Sequence, residues 1–252
     1  MTTIQNQTFD QERAPYGVRG LLVRNCVFDG PADGESAFKE CAGIQAEHSF
    51  FNLRYPFWHD HGLAIRNCEL TDKCRAALWY SDDITITGTK MHGIKALREC
   101  SNVLVEDCDI ISPEFGWSVR NIKMRRCHAD SEYFMMRSEH LRFSDVNFKV
   151  KYSFQYIKDG VFENFSAVGI DKIYRFLSAD LCQSLYRAAQ VRRSPLAAVT
   201  VRTQQMNFFR LKQRRIIRDI FRTVEVNRIH LNFNRHFIIV FDIFCLRKSV
   251  KI

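Results

Sequence analysis

The sequence lacks the hydrophobic segments that place a protein in a membrane or direct it out of the cell. It has no run of about eighteen uninterrupted apolar residues, so we expect no membrane-spanning helix. The opening residues, MTTIQNQTFDQER, show no basic start followed by an apolar stretch, so we expect no secretory signal. We therefore expect a cytoplasmic protein whose nine cysteines are reduced thiols.

Motifs that carry common chemistries are also missing. No two cysteines form a CxxC pair, which argues against a zinc ribbon or a redox dithiol. The chain has no GxSxG motif, no P-loop, no dinucleotide fingerprint and no HExxH motif. The run HDH at 59–61 offers two imidazoles without an obvious third ligand. We therefore expect no metal site and no cofactor.

Tryptophan and glycine are missing from the C-terminal third of the chain. No tryptophan follows Trp117, and no glycine follows Gly169. Residues 166–252 hold 17 Lys or Arg against five acidic residues, a formal charge of +12. Residues 1–165 hold 20 Lys or Arg against 23 acidic residues, a formal charge of −3. The composition therefore predicts two different parts, 1–165 and 166–252.

The basic part is predicted to be partly helical. Residues 206–225 place apolar side chains near one helical face among arginines, which is typical of a basic amphipathic helix. Residues 237–244, FIIVFDIF, are typical of a strand or a buried apolar run. Three interpretations stay open: a change of reading frame near codon 165, a divergent helical cap, and a nucleic-acid-binding segment, which is the least favoured.

Residues 1–165 contain a repeat of about nineteen residues. Each copy opens with apolar residues at alternate positions, the period of a strand with one buried face. From Ile84 onward the copies start nineteen residues apart until Leu141, whereas the step from Leu63 to Ile84 is twenty-one. The copies begin at Leu21, Ile44, Leu63, Ile84, Val103, Ile122, Leu141 and Gly160.

This period predicts an all-β fold, a right-handed parallel β-helix of seven or eight coils. Nineteen residues are too few for a strand–helix–strand crossover, but they fit one coil of short strands and tight turns. Stacked coils would lie about 4.8 Å apart, and the crossover rule for parallel strands predicts the right hand. Cys68, Cys108 and Cys127 share one position of the repeat, and we interpret them as a buried column of small side chains rather than a zinc site.

Several segments between the repeat starts resemble one bacterial family. They are ERAPYG (12–17), FDGPADGESAFKEC (28–41), LRYPFWHD (53–60), CRAALWYS (74–81), HGIKALREC (92–100), DIISPEFGW (109–117), SEYFMM (131–136) and KYSFQYI (151–157). The family resembled consists of pectin-lyase-like right-handed β-helix proteins of unknown function. The resemblance covers residues 12 to about 164 and implies the fold, but it implies no activity. Beyond Asn164 the chain departs from the family pattern, which continues with further coils.

Alignment of the coils places the three tryptophans in one column. Trp58, Trp79 and Trp117 occupy it, and Arg98 fills the coil between the last two. If these side chains face outward, they form a strip of flat aromatic surfaces on which sugar rings stack. The alternative is that the tryptophans pack in the core, as large aromatic side chains often do. Alternation does not decide between the two, because apolar residues occupy adjacent columns.

Charged residues of neighbouring coils offer candidates for acid–base chemistry. Lys95, Glu99 and Glu114 are the candidate catalytic groups, since general acid–base catalysis needs two titratable groups that converge on one space. The favoured interpretation is different: charges in adjacent coils compensate each other along a solvated face.

Three functions follow as hypotheses. The first is a carbohydrate-binding or carbohydrate-modifying protein that uses Trp58, Trp79, Arg98 and Trp117 as its substrate-binding residues. The second is a non-catalytic scaffold that binds another protein. The third is nucleic-acid binding through the basic part alone.

Overall fold

A computed structural model of the chain describes residues 1–30 and 36–164 with their side chains, and the backbone of residues 166–168, 199–202, 228–232 and 238–241. These described residues form strands and turns, and none of them lies in an α-helix. Within them, no helix is long and apolar enough to cross a membrane.

Most strands are short because each coil is divided by several turns. In chain order they are β1 (Thr2–Gln5), β2 (Thr8–Phe9), β3 (Arg19–Arg24), β4 (Val27–Phe28), β5 (Ala42–Glu47), β6 (Phe50–Phe51), β7 (His61–Arg66), β8 (Glu69–Leu70), β9 (Asp82–Thr87), β10 (Lys90–Met91), β11 (Ala96–Arg98), β12 (Ser101–Glu106), β13 (Asp109–Ile111), β14 (Glu114–Trp117), β15 (Arg120–Arg125), β16 (His128–Met136), β17 (Glu139–Ser144), β18 (Asn147–Ser153), β19 (Lys158–Glu163), β20 (Ser166–Val168), β21 (Val199–Arg202), β22 (Arg228–Asn232) and β23 (Ile238–Phe241).

The long strands stack into one parallel sheet, one strand from each coil. Its order is β1-β3-β5-β7-β9-β12-β15-β17-β19, so eight turns of the coil separate the first strand from the last. Val103 pairs with Ile122 and Ile122 pairs with Leu141, which is the nineteen-residue step of the repeat. A second sheet, β2-β4-β6-β8-β10-β13-β16, continues to β14 and β11; its strands have two residues in the first coils and up to nine in β16. The predicted parallel β-solenoid is confirmed.

Each coil turns sharply because one residue after the long strand adopts a left-handed backbone conformation. Asn, Asp and Gly accept positive φ at lower cost than other residues, since their short or absent side chains avoid the clash with the following carbonyl. The corner column is rich in these residues: Asn6, Asn25, His48, Asn67, Gly88, Asp107, Arg126, Asp145 and Asn164. These corner residues stack one above another, and backbone hydrogen bonds such as Asn25 N–H to the carbonyl of Glu47 join neighbouring coils there.

Aromatic and small apolar side chains fill the interior in columns. Phe28 and Phe51 stack with ring centroids 4.9 Å apart and an interplanar angle of 3°, and Phe38 stacks on Phe57 at 5.1 Å. The predicted cysteine column is buried as expected, since Cys68, Cys108 and Cys127 are all under 5 % exposed. Like every cysteine among the described residues, they are free thiols.

The second sheet extends slightly beyond the expected end of the repeat. Strand β20 pairs in parallel with β18, and Ser166 pairs with Asn147 at the same nineteen-residue step. Strand β22 instead pairs antiparallel with β19, and β23 lies within residues 237–244, for which a strand was one of the two interpretations. The predicted helix at 206–225 lies outside the described residues.

Candidate functional site

Four side chains form a continuous stack along the outside of the solenoid, here termed the Trp–Arg ladder: Trp58, Trp79, Arg98 and Trp117. The ring centroids of Trp58 and Trp79 lie 5.0 Å apart, with an interplanar angle of 38°. The guanidinium carbon of Arg98 lies 5.0 Å from the ring centroid of Trp79 and 5.2 Å from that of Trp117. Parallel pairing of β11 with β14 sets Arg98 directly beside Trp117. The column expected from the repeat is therefore present.

The ladder lies at the surface and not in the core. All four side chains are half-buried, whereas the preceding residues Phe57, Leu78 and Leu97 are fully buried. These three buried residues adopt positive φ, as do the residues just after the ladder. The left-handed residues on both sides turn the chain so that one side chain enters the core and the next one points away from it.

The middle of the ladder, at Trp79, has no open ring face. Trp79 has the Trp58 ring on one side and the Arg98 guanidinium on the other, so both of its faces are covered. Its indole Nε1 donates a hydrogen bond of 2.6 Å to the backbone carbonyl of Lys95, which fixes the ring orientation. At Trp79 this differs from the expected open aromatic surface, because side chains one coil apart are close enough to cover its ring.

The three candidate catalytic residues do not all come together. Lys95 and Glu114 face each other with 3.9 Å between Nζ and Oε1, and each side chain is 27 % exposed. Both line a shallow depression with Arg98, Trp117 and Tyr133. Glu99 is exposed and does not line it. The depression is open and small, so it does not enclose a substrate as most small-molecule sites do.

Charges in neighbouring coils compensate each other over the solvated surface, as the favoured interpretation expected. The guanidinium of Arg126 donates to both carboxylate oxygens of Asp107 at 2.7 and 2.9 Å, and this hydrogen bonding lowers the pKa of Asp107. Further pairs one coil apart are Lys95–Glu114, Arg125–Glu106, Lys149–Asp130, Lys151–Glu132 and Lys158–Glu139. Such exposed ion pairs contribute little to stability. We therefore interpret them as a solvated surface that keeps neighbouring strands in register, and not as a binding or catalytic site.

One buried carboxyl was not anticipated from the sequence. Asp60 is fully buried in a column that holds Cys41 in the preceding coil and Ser81 in the following one. Its Oδ1 accepts a hydrogen bond of 2.6 Å from the backbone N–H of Cys41, whereas its Oδ2 has no partner. Burial raises the pKa of Asp60 to about 8. The signal in the sequence was an aspartate at a position where other coils carry small or apolar residues.

The two histidines that flank Asp60 point away from it. His59 and His61 are exposed, and the Nδ1 of His61 lies 2.8 Å from Oδ2 of Asp82 in the next coil. Within the described residues, no three His, Cys, Asp or Glu side chains converge as a metal site requires.

Comparison with known proteins identifies a family without a described activity. A family model described as a protein of unknown function (DUF3737) matches residues 2–177 of the chain. The match covers the whole predicted solenoid part and reaches past β20. No curated protein matches the chain.

Proposed function

The chain belongs to the DUF3737 family of proteins of unknown function, and from its own surface we propose that it binds an extended carbohydrate along the Trp–Arg ladder. The observation that carries the proposal is the ladder itself, which places one half-exposed indole or guanidinium on each of four successive coils. At protein interfaces, tryptophan and arginine are, with tyrosine, enriched among the side chains that contribute most to binding.

The spacing of the ladder supports a chain-like ligand. Coils joined by parallel strands repeat every ~4.8 Å, which is close to the length of one sugar residue in an extended polysaccharide. A polysaccharide that runs along the solenoid axis would therefore present one sugar to each rung. The similar fold of polysaccharide lyases is only an analogy and adds no evidence about activity.

The ladder supports binding through edges and polar groups. Because the faces of Trp79 are covered, a sugar cannot stack flat on it as first expected. Indole edges, the indole N–H groups of Trp58 and Trp117 and the guanidinium of Arg98 instead supply apolar contact and hydrogen bonds for hydroxyl-bearing rings.

The surroundings of the ladder favour binding over modification of a sugar. Lys95 and Glu114 pair with each other, and Glu99 does not line the depression, so among the residues described around it no two unpaired acid–base groups converge on one space. General acid–base catalysis requires such convergence. A carbohydrate-binding role therefore fits these residues better than a hydrolase or lyase role.

A protein-binding scaffold is the second candidate function. Three tyrosines at or beside the ladder column are unusually exposed: Tyr16 is 52 % exposed, Tyr80 is 47 % exposed and Tyr156 is 48 % exposed. Exposed tyrosines beside arginine and tryptophan are typical of protein interfaces, where they bury large areas at low entropic cost.

Fluorescence quenching of the intact chain distinguishes the two candidates. All three tryptophans of the chain lie in the ladder, so their emission reports on this surface without any substitution. We expect acrylamide to quench the emission and one class of oligosaccharide to protect against quenching. If no oligosaccharide in a panel of neutral and acidic chains gives protection, the carbohydrate proposal is wrong and the scaffold is favoured.

A further inference from the structure

We propose that Cys108 and Cys127 form an oxidation site, at which hydrogen peroxide joins the two thiols in a disulfide bond between neighbouring coils. The two residues lie inside the corners that follow the long strands β12 and β15, and the site does not involve the Trp–Arg ladder. Cys108 is 3 % exposed, Cys127 is 2 % exposed, and both are free thiols. Within the described residues, no other two cysteines share one position of the repeat in adjacent coils.

Backbone hydrogen bonds hold the two cysteines one above the other. Just before the pair, the N–H of Asp107 donates to the carbonyl of Arg125 at 3.0 Å. Just after it, the N–H of His128 donates to the carbonyl of Cys108, also at 3.0 Å. Coils joined in this way lie ~4.8 Å apart, which is within the usual range of about 4.4–6.8 Å between the Cα atoms of a disulfide. The bond therefore requires no large movement of the backbone.

The two thiols point in the same direction. The Sγ of Cys108 lies 3.1 Å from the carbonyl oxygen of the residue two positions before it, and the Sγ of Cys127 makes the same contact at 3.1 Å. Each Sγ also contacts a carbonyl oxygen of the preceding coil, at 3.7 Å for Cys108 and 3.6 Å for Cys127. The thiol of Cys108 also donates a hydrogen bond to the sulfur of Cys127. The two sulfur atoms are therefore direct neighbours.

The two cysteines differ in how readily they ionise. The hydrogen bond between them raises the pKa of Cys108 and lowers the pKa of Cys127. Their neighbours in the sequence act in the same direction, since Cys108 lies in the acidic segment EDCD (106–109) and Cys127 lies in the basic segment RRCH (125–128). Cations beside a cysteine favour its thiolate, whereas anions oppose it. We therefore assign Cys127 as the attacking thiolate and Cys108 as the thiol that completes the disulfide.

Cys68 occupies the same position of the repeat but has no thiol beside it. The next coil carries Thr89 there, and its hydroxyl accepts a hydrogen bond of 3.3 Å from the N–H of Cys68. The preceding coil carries Ser49, whose N–H contacts the sulfur of Cys68 at 3.5 Å. Burial raises the pKa of Cys68 to about 11. Cys68 is therefore a control within the same column, because it shares the burial but not the second thiol.

The reaction consumes one molecule of hydrogen peroxide. The thiolate of Cys127 attacks one peroxide oxygen, the O–O bond breaks, and the released hydroxide takes up the proton that Cys127 lost on ionising. The sulfur of Cys108 then attacks the sulfenic acid on Cys127, so that the S–S bond forms, the S–O bond breaks and the hydroxide leaves with the proton of Cys108. The two sulfur atoms lose two electrons in total, the peroxide gains them, and two water molecules result. Because both thiols are buried, the small oxidant reaches them when the coils open locally.

Peptide mapping of the intact native chain tests the proposal. The folded chain is treated with hydrogen peroxide, the remaining thiols are blocked with N-ethylmaleimide in denaturant, and trypsin cuts between the two cysteines after Arg120 and Lys123. We expect two peptides linked through Cys108 and Cys127, which are not linked before treatment and separate again with dithiothreitol. We expect Cys68 to be recovered with the blocking group.

Thermal unfolding gives a second readout of the same bond. The disulfide links positions nineteen residues apart in the sequence and so restricts the unfolded chain. We expect the oxidised chain to unfold at a temperature several degrees higher than the reduced chain, and dithiothreitol to reverse this shift.

Three variants test the assigned roles. In Cys108→Ser the attacking thiolate remains but has no second thiol, so we expect a sulfenic acid at Cys127 that dimedone labels. In Cys127→Ser we expect no disulfide and at least severalfold less dimedone at Cys108. Cys68→Ser is the control and should form the link between Cys108 and Cys127 as the native chain does.

The outcomes decide the proposal without relying on a variant that folds. Absence of the linked peptides at a peroxide dose that oxidises the exposed Met1 overturns the oxidation site. Linkage of Cys108 to Cys100 in the same amount as to Cys127 overturns it as well, because this would show unspecific exchange. Equal dimedone labelling of Cys108 and Cys127 in the two single variants overturns the assignment of the attacking thiolate.

Discussion

At the scale of single residues, Asp60 is the least expected feature of the molecule. A carboxyl that is fully buried with one oxygen unpartnered is costly when charged, because the protein interior solvates charge poorly. Glu40 adds to this cost through its negative charge, while the N–H of Cys41 reduces it. The group therefore holds its proton in the folded chain up to about pH 8.

The buried carboxyl makes stability depend on pH. An unfolded aspartate loses its proton near pH ~3.9, so between that pH and about 8 the folded chain binds more protons than the unfolded one. Stability should therefore fall as pH rises through this window, by at most about 1.4 kcal/mol per pH unit. We expect Asp60→Asn to be less sensitive to pH and more stable than the native chain at pH 9, as measured by denaturant unfolding.

Asp107→Asn is the matched control for this prediction. Asp107 is exposed and its pKa is lowered by Arg126, so its substitution should not reduce the loss of stability between pH 5 and 9. If Asp60→Asn and the native chain show the same pH dependence, Asp60 does not hold a proton in the folded state.

At the scale of strands and turns, the repeat predicted much of what the structure shows. Apolar alternation in segments such as Val103–Val105 gave the long strands and their register, because a strand with one buried face has a period of two. This period of two does not hold at the corners of the coils. Several residues there adopt positive φ, so alternation could not tell whether Phe57 or Trp58 enters the core.

Neighbouring coils approach each other most closely, among the glycines described, at Gly93, which lies just before β11. A Cβ built on this residue would overlap the backbone carbonyl oxygen of Cys74 in the coil before, and backbone cannot move aside as a flexible side chain can. We expect Gly93→Ala to destabilise the chain by about 1–3 kcal/mol, the usual cost of overpacking. Thermal or denaturant unfolding measures the change.

Gly20→Ala separates steric overlap from backbone conformation. A Cβ on Gly20 meets nothing within 4 Å, but its φ is +67°. Its cost should come only from the left-handed backbone, about 1–2 kcal/mol. A Gly93→Ala variant as stable as the native chain would show that the two coils are not in contact at this point.

At the scale of the whole molecule, the uneven distribution of charge sets the expected behaviour towards nucleic acid. Residues 1–165 carry a formal charge of −3 and residues 166–252 carry +12, so any attraction to phosphate should depend on the C-terminal part. If the least favoured interpretation holds and the basic part binds nucleic acid, we expect the intact chain to bind DNA at low salt and to release it as salt is raised. A chain that ends at residue 177, where the family match ends, should not bind.

Electrophoretic mobility shifts at several salt concentrations measure this difference. DNA binding by the shortened chain would exclude the basic part as the cause and would assign the interaction to the solenoid. Equal binding by both chains at high salt would show that charge is not the main contribution.

The sequence by itself determined the solenoid, its period and the column that contains the three tryptophans, because a fixed repeat places equivalent residues above one another. Only the tertiary structure decided that this column faces outward, that Trp58 and Arg98 cover the two faces of Trp79, and that Asp60 rather than its neighbouring histidines points inward. The reason is that the direction of a side chain at a corner depends on local φ values, and the partners of a ring depend on the actual distance between coils. Neither the φ values at the corners nor the distance between coils can be derived from the spacing of residues along the chain.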